Sequence, residues 1–274
     1  MSPLEAVRSA GRELAAAGVP SPRVDAELLV GEVLGRTRTE LYAQDGGLTK
    51  EERERLGGLV ERRRRREPLA YILGEWGFRR LILGVDRRVL VPRPETEIVV
   101  ERCLAANHDV EAPRVVDVGT GSGAIALAIA DEHPSAQVLG IDLFEGVLEL
   151  ASANRERSGL TDRVTLACTD LLHGLAGPVD LVASNPPYVR KDELERLDPE
   201  VRDWEPRVAL VGEGVAERIA ADARRVLHPG GALVLECGDG QALGLAEHLH
   251  GLGYTDIRIT SDLARRERVV EGRR

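Results

Sequence analysis

The sequence predicts an α/β fold: a seven-stranded, mostly parallel sheet with an antiparallel last strand, behind a small all-helical N-terminal domain. Three observations predict it. From residue 94 onward, apolar runs of strand length alternate with helical stretches, the pattern of crossover units and a parallel sheet. The last two strand candidates, Thr255 to Thr260 and Glu267 to Glu271, are separated by a short loop, which suits only an antiparallel pair. Residues 1 to about 70 carry repeated helix start signals instead of strand patterns.

The elements follow in order. Ser2-Pro3-Leu4-Glu5 combines an N-cap serine, proline at the first helical position and a capping-box glutamate. Ser21-Pro22 repeats the start signal, and Leu28, Leu29 and Val33 give the second helix an apolar stripe. Thr49 with Glu52 marks a third start. Arg62 to Arg66 is the one basic run, readable as a solvated helix end or as a contact for an acidic partner or RNA. Between Gly74 and Val91 apolar residues alternate (Trp76, Phe78, Leu81, Leu83, Val85, Val89 and Val91), which predicts a β-hairpin linker. Pro92-Arg93-Pro94-Glu95-Thr96-Glu97 then leads into a helix through Ile98, Val99, Val100, Cys103 and Leu104. Strands are expected at 114–118, 137–142, 163–168, 179–184 and 231–237. The organisation expected is therefore a helical substrate-recognition domain over 1–70, a hairpin linker over 71–93 and a catalytic domain over 94–274.

Two motifs close strands of that sheet. The run 179–184 ends in Asn185-Pro186-Pro187-Tyr188. By itself this reads equally well as a strand-ending turn. Its groups also suit a planar, weakly nucleophilic –NH2, such as a carboxamide or the exocyclic amine of a base. The Asn185 amide oxygen and the Pro186 carbonyl can accept two N–H bonds while Tyr188 stacks on the flat face. The prolines fix φ and carry no N–H, so the turn is stiff.

The strand 114–118 runs into Gly119-Thr120-Gly121-Ser122-Gly123, with helical character from Ala124 to Ala130. Glycines there let the backbone turn sharply and approach a ligand at a helix N-terminus. Gly119-x-Gly121-x-x-Ala124 also fits a dinucleotide fingerprint, so NAD competes. Asp142, ending the next strand, suits the hydroxyls of a ribose in either case. Two residues favour S-adenosylmethionine. Asp117, two positions before the first glycine, can meet the cationic methionine ammonium, whereas in a NAD site it would face pyrophosphate. Asp170 can accept from the adenine amine, with Leu171 against the ring. The expected cofactor site is Asp117, Gly119, Thr120, Gly121, Ser122, Gly123, Asp142, Asp170, Leu171 and Asn185.

Composition bounds the alternatives. Lys and Arg number 37 against 46 Asp and Glu, a net charge of −9, which argues against a general nucleic-acid binder. Cys103, Cys168 and Cys237 have neither paired spacing nor a companion histidine pattern, so neither a disulfide framework nor a metal site is expected. No apolar stretch has membrane-spanning length and no secretory pattern opens the chain, so no membrane partner and a cytoplasmic location are expected.

With these motifs in order, the chain resembles the HemK/PrmC family, protein-(glutamine-N5) methyltransferases of peptide chain release factors. The resemblance rests on Pro92 to Glu97, Asp117 to Gly123, Asn185 to Tyr188, Val201-Arg202 with Glu205-Pro206 before Ala209-Leu210, and Pro229-Gly230-Gly231 leading to Leu235-Glu236. The Arg-Pro-Glu-Thr-Glu segment is the most specific of these. Asn-Pro-Pro-Tyr is shared with adenine-N6 DNA and guanine-N2 RNA methyltransferases. Leu171 departs from the aromatic residue some relatives carry there. The resemblance implies the class I S-adenosylmethionine-dependent methyltransferase fold and methylation of the glutamine of a Gly-Gly-Gln motif in release factors. It implies Asn185 and Pro186 as catalytic residues and Asn185, Pro186, Pro187 and Tyr188 as the substrate grip. The expected enzyme is a monomer without stable nucleic-acid binding. The rivals are a ribosomal-protein glutamine methyltransferase, a nucleic-acid amine methyltransferase and a non-catalytic cofactor-binding module.

Overall fold

The helix starts read in the N-terminal residues form, two of them as reciprocal caps. The Ser2 hydroxyl accepts from the Glu5 N–H at 3.2 Å, and the Glu5 carboxylate accepts from the Ser2 N–H at 2.7 Å. Thr49 and Glu52 repeat the arrangement. The computed structural model describes residues 1–43 and 46–274. Its helices are α1 (Pro3–Ala16), α2 (Pro22–Leu34), α3 (Arg38–Ala43), α4 (Lys50–Arg64) and α5 (Leu69–Leu73). Ser21 precedes α2 without a side-chain cap bond, so Pro22 and the αL Gly35 punctuate that helix instead.

After α5 come β1 (Glu75–Phe78), β2 (Leu81–Gly84), α6 (Thr96–Ala106), β3 (Arg114–Val118), α7 (Ala124–Glu132), β4 (Gln137–Asp142), α8 (Glu145–Arg157), β5 (Val164–Cys168) and β6 (Val179–Ser184). Two short helices, α9 (Pro199–Arg202) and α10 (Arg207–Leu210), precede α11 (Val215–Val226), β7 (Leu227–Glu236), α12 (Ala242–Gly251), β8 (Thr255–Ser261) and β9 (Glu267–Arg273). Two units separate by their internal contacts. One is Met1–Gly74 with Asp198–Trp204; the other is Glu75–Leu197 with Glu205–Arg274.

In the helical unit, Leu14, Leu29, Val30, Leu41 and Leu56 form the buried face. The basic run belongs to this unit and is paired within it. Arg63 is buried and donates to Asp25 at 2.7 Å and to Glu200 at 2.8 Å, and Arg66 donates to both oxygens of Glu200. Arg62 forks onto Glu67, while Arg64 and Arg65 share Glu61. The solvated helix end holds for Arg62, Arg64 and Arg65, which are exposed at the end of α4, and fails for the buried Arg63 and the part-buried Arg66. Asp25 and Glu200, far away in sequence, pair with Arg63 and Arg66, while the local Glu61 and Glu67 pair with the other three.

In the second unit the sheet order is β5-β4-β3-β6-β7-β9-β8. All pairs are parallel except β7–β9 and β8–β9, so β9 alone runs against the rest, inserted between β7 and β8. Residues alternate between the two faces. Val115, Leu181 and Ala183 pack under α6 and α7, and Val116, Val182 and Leu233 pack under α11 and α12. Burial on both faces is why these strands read as continuous apolar runs. Strand β7 starts at Leu227, four residues before the expected 231, because Leu227 pairs with Val179 across an irregular register ahead of the prolyl-glycyl turn residues.

The predicted hairpin is shorter than expected. Residues 71–73 finish α5, and only 75–78 and 81–84 pair. Val85, Val89 and Val91 are buried, but in irregular backbone. Their alternation reports burial, not strand pairing.

Candidate active site

Strand order positions the site. The chain runs outward from β3 through β4 to β5, then returns to β6 beside β3. Val118 lies opposite Ser184, so Gly119 and Asn185 leave the sheet side by side at the carboxyl ends. Such a reversal opens a crevice in a parallel sheet. Here it is a cavity of about 420 Å³ whose wall includes Gly119, Thr120, Gly121, Ser122, Asp142, Asp170, Leu171, Asn185 and Pro187.

One wall is the glycine turn. Gly119, Gly121 and Gly123 have φ of 71°, 56° and 85°, the left-handed region that side chains resist, and a Cβ on Gly119 would point into open space. Thr120 N–H donates to the Ile141 carbonyl at 2.9 Å and Gly121 N–H to Asp142 Oδ2 at 3.1 Å. Asp142 also accepts from the Phe144 N–H. Burial raises the pKa of Asp142, and the Gly121, Phe144 and Leu143 N–H groups oppose that rise. Leu171, held at φ 47°, presents an aliphatic surface where the next strand ends, beside the exposed Asp170.

Asp117 is placed differently from the expectation. It shares the strand face of Val115, which packs under α7, and it is fully buried rather than on the cavity wall. Its Oδ2 accepts from the Thr120 hydroxyl at 2.7 Å and from the Ala126 N–H at 3.1 Å, stitching the turn to α7. Its Oδ1 has no partner among the described residues. Burial pushes its carboxyl up to about 7, with the charge of Asp142 adding to that effect. A buried acid with an orphaned oxygen, beneath the glycine turn, fits a ligand bearing a cation.

The other wall is the Asn-Pro-Pro-Tyr turn. Asn185 Nδ2 donates to the Thr96 hydroxyl at 3.0 Å, and among the described residues Oδ1 has no donor on the cavity side. Pro186 is buried, and its carbonyl takes no hydrogen bond among the described residues. Pro187 lines the cavity and is crowded by Gly212, where a Cβ would meet it at 2.5 Å. Tyr188 lies behind the wall, half-buried, with its carbonyl held by Gln241 at 2.9 Å and its hydroxyl donating to Glu236 at 3.3 Å. Burial raises its phenol pKa, as does the Glu236 charge.

Sequence reasoning assigned no role to Thr96, Glu205, Glu236, Gln241 or Gly212. Glu205 is buried and accepts from Arg93 at 2.5 Å, and burial pushes its carboxyl up against the pull of Arg93. The partners in these contacts are 48 to 112 residues apart, so no local pattern marks them.

The PrmC N-terminal domain family matches residues 5–74, and the Methyltransferase small domain family matches residues 96–197. The Release factor glutamine methyltransferase of Deinococcus radiodurans is 43% identical over 268 residues, covering 95% of this chain and 94% of that protein. Those of Geobacter sulfurreducens and Caulobacter vibrioides are 42% and 39% identical, covering 95% and 93% of this chain and 92% and 91% of theirs. Among solved structures, the hMettl16 catalytic domain in complex with MAT2A 3′UTR hairpin 6 aligns with TM-score 0.56 at 15% identity, over 70% of this chain and 74% of that one. A methyltransferase from Pyrococcus furiosus aligns with TM-score 0.52 at 19% identity, over 70% and 88%. These distant structures share the fold.

Proposed function

The chain belongs to the release factor glutamine methyltransferase family, and from that premise we propose that it methylates the side-chain amide nitrogen, N5, of a glutamine in peptide chain release factors, that of their Gly-Gly-Gln motif. When bound, S-adenosylmethionine supplies an electrophilic methyl group on a sulfonium. The glycine turn carries its methionine end, Asp142 its ribose hydroxyls, and Asp170 with Leu171 its adenine. The orphaned Oδ1 of Asp117 answers the ammonium charge from beneath the turn.

An amide nitrogen is a poor nucleophile because its lone pair is delocalised into the carbonyl. The residues must hold that nitrogen in place and favour a localised lone pair. Asn185 Oδ1 and the Pro186 carbonyl, both without protein donors, accept the two N–H groups of the glutamine. They are aimed at the positive charge that grows on nitrogen, so they bind the transition state more tightly than the ground state. Positioning of this kind contributes up to about 7–11 kcal/mol. The methylated nitrogen is strongly acidic while cationic and gives its proton to water, so no side chain serves as a dedicated base. Pro187 flanks the amide plane, and Tyr188 braces the turn from behind the wall. The helical unit recognises the release factor, and the enzyme acts as a cytoplasmic monomer without stable nucleic-acid binding. Among the described residues no helix is long and apolar enough to cross a membrane.

The observation that carries this reading is the unclaimed acceptor pair at Asn185 and Pro186, at the switch point beside the glycine turn. Labelled S-adenosylmethionine, offered with release factors, ribosomal protein and nucleic acid together, tests it by peptide mass spectrometry. One methyl on the release-factor glutamine is expected; label on ribosomal protein or nucleic acid instead overturns it. Asn185→Ala is expected to lower kcat by about 100- to 1000-fold. Calorimetry on the same variant is expected to show cofactor affinity changed far less.

A further inference from the structure

The Pro186 carbonyl can serve as an acceptor only if the turn that carries it is held in direction. The two prolines lock φ at 186 and 187 and donate no hydrogen bond, so they stiffen the turn without anchoring it. Anchorage must come from its two ends. The entry is fixed by strand pairing as far as Ser184, which lies between Val118 and Leu235. The exit is the peptide joining Tyr188 to Val189, beyond the end of β6.

That peptide is held on both edges. Its N–H donates to the Leu210 carbonyl at 2.9 Å, and its carbonyl accepts from Gln241 Nε2 at 2.9 Å. Gln241 stands immediately before α12, and its Oε1 accepts from the Gly238 N–H at 3.0 Å. Both arms of this amide therefore meet main chain. A carbonyl can only accept and an N–H can only donate, so the two partners admit one rotation of the side chain. A half-turn would set oxygen against oxygen and N–H against N–H. The packing is equally close: a Cβ on Gly238 would meet Gln241 Oε1 at 3.0 Å and Tyr188 Cδ2 at 3.1 Å.

We propose that Gln241 is a positioning residue: by tying the exit of the Asn-Pro-Pro-Tyr turn to the loop after β7, it sets the direction of the Pro186 carbonyl and so the grip on the substrate nitrogen. This rests on the reading of Asn185 and Pro186 as the substrate's acceptors. With φ locked at both prolines, few free torsions separate the Tyr188 carbonyl from that of Pro186, so a loosened exit is felt at the acceptor. Gln241 is not among the residues of the cavity wall, so it acts through Tyr188 and touches neither cofactor nor substrate.

Steady-state kinetics of the full chain with S-adenosylmethionine and a release factor test this, comparing Gln241→Glu, Gln241→Met and Asn185→Ala with wild type. Gln241→Met removes both arms and is expected to lower kcat by about 10- to 100-fold, the scale of a small misplacement at the reacting atom. Gln241→Glu keeps the shape and the acceptor for Gly238, but when ionised it has no donor for the Tyr188 carbonyl. A protonated carboxyl has one donor and one acceptor, as the amide does. The ratio of Gln241→Glu to wild-type kcat is therefore expected to be low at about pH 8 and to recover toward about pH 5, as the new carboxyl takes up its proton. Glu236 and Arg268, which act on the Tyr188 phenol, and the exposed Asp239 are common to both chains, so the ratio isolates residue 241. Calorimetric affinity for S-adenosylmethionine and thermal melts are expected to stay near wild type in both Gln241 variants. Wild-type turnover by Gln241→Met, a ratio for Gln241→Glu that does not change with pH, or a matching loss of cofactor affinity each overturns the proposal. Unfolding of both variants would also overturn it, by making Gln241 a residue of stability. Full activity of Asn185→Ala would instead remove the acceptor role of Asn185 itself. Loss in Asn185→Ala with none in the Gln241 variants removes the positioning proposal alone.

Discussion

The glycine-turn wall and the Asn-Pro-Pro-Tyr wall meet at one reversal of the sheet, yet they are held in opposite ways. The first is fastened by near neighbours and by backbone groups: Thr120 to Ile141, Gly121 to Asp142, and Asp117 to Thr120 and Ala126. The second is fastened by side chains from remote segments: Thr96, Gln241 and Glu236 hold Asn185 and Tyr188. A wall made of backbone presents donors whose direction is set by the main chain. A wall made of side chains must have each rotation set by a partner. The difference teaches where the two walls are vulnerable: the first to changes in φ and charge, the second to small displacements.

The sharpest way to break the comparison is Gly212→Ala. Its Cβ would lie 2.5 Å from Pro187, which has no flexible end to yield, so the turn must shift. A fall in kcat of about 100-fold is expected, with cofactor affinity moving much less. Equal losses of both, by kinetics and calorimetry, would mean the two walls are one rigid piece. On the other wall, Asp142→Ala is expected to raise the cofactor KM by roughly 10-fold, the worth of one hydrogen bond to a charged group, with kcat little changed. An unchanged KM would remove Asp142 from the cofactor site.

The smallest effect is on stability. Asp117 has its carboxyl pushed from an ordinary 3.8 to about 7 in the fold. Between those values the folded chain holds a proton that the unfolded chain has lost, so stability falls as pH rises through that window and levels off above it. Asp117→Asn cannot titrate. Thermal melts are therefore expected to show wild type losing ground to Asp117→Asn from pH 4.5 to 7, by a few degrees. A constant gap across that range would mean Asp117 is ionised throughout.

The same contrast explains what could be read from the chain beforehand. The glycine turn, Asp142 and Asp170 are local to strand ends, and strand ends follow from apolar runs bounded by glycine. All but Gly123, which backs onto Leu127, line the cavity. Asp117 was legible as an acid before the turn but not as buried, because strand facing depends on which helix packs above it. The roles of Thr96, Glu205 and Glu236 were illegible for a different reason. Each pairs across 48 to 112 residues, and only the order of strands and helices brings them together. Likewise, an arginine run looks the same in sequence whether its counter-charges are water-borne or supplied by Asp25 and Glu200.

That last cluster bears on how the chain can be recombined. Arg63 is buried between Asp25 and Glu200, and Glu200 also carries Arg66. The helical half is thus a discontinuous module, completed by seven residues interrupting the catalytic half. Swapped between relatives as a contiguous cassette ending near residue 74, it would leave a buried guanidinium short of one counter-ion, a loss on the scale of about 3–5 kcal/mol. A chimera has to carry 198–204 along with the helices, or exchange Arg63, Arg66 and Glu200 as a set.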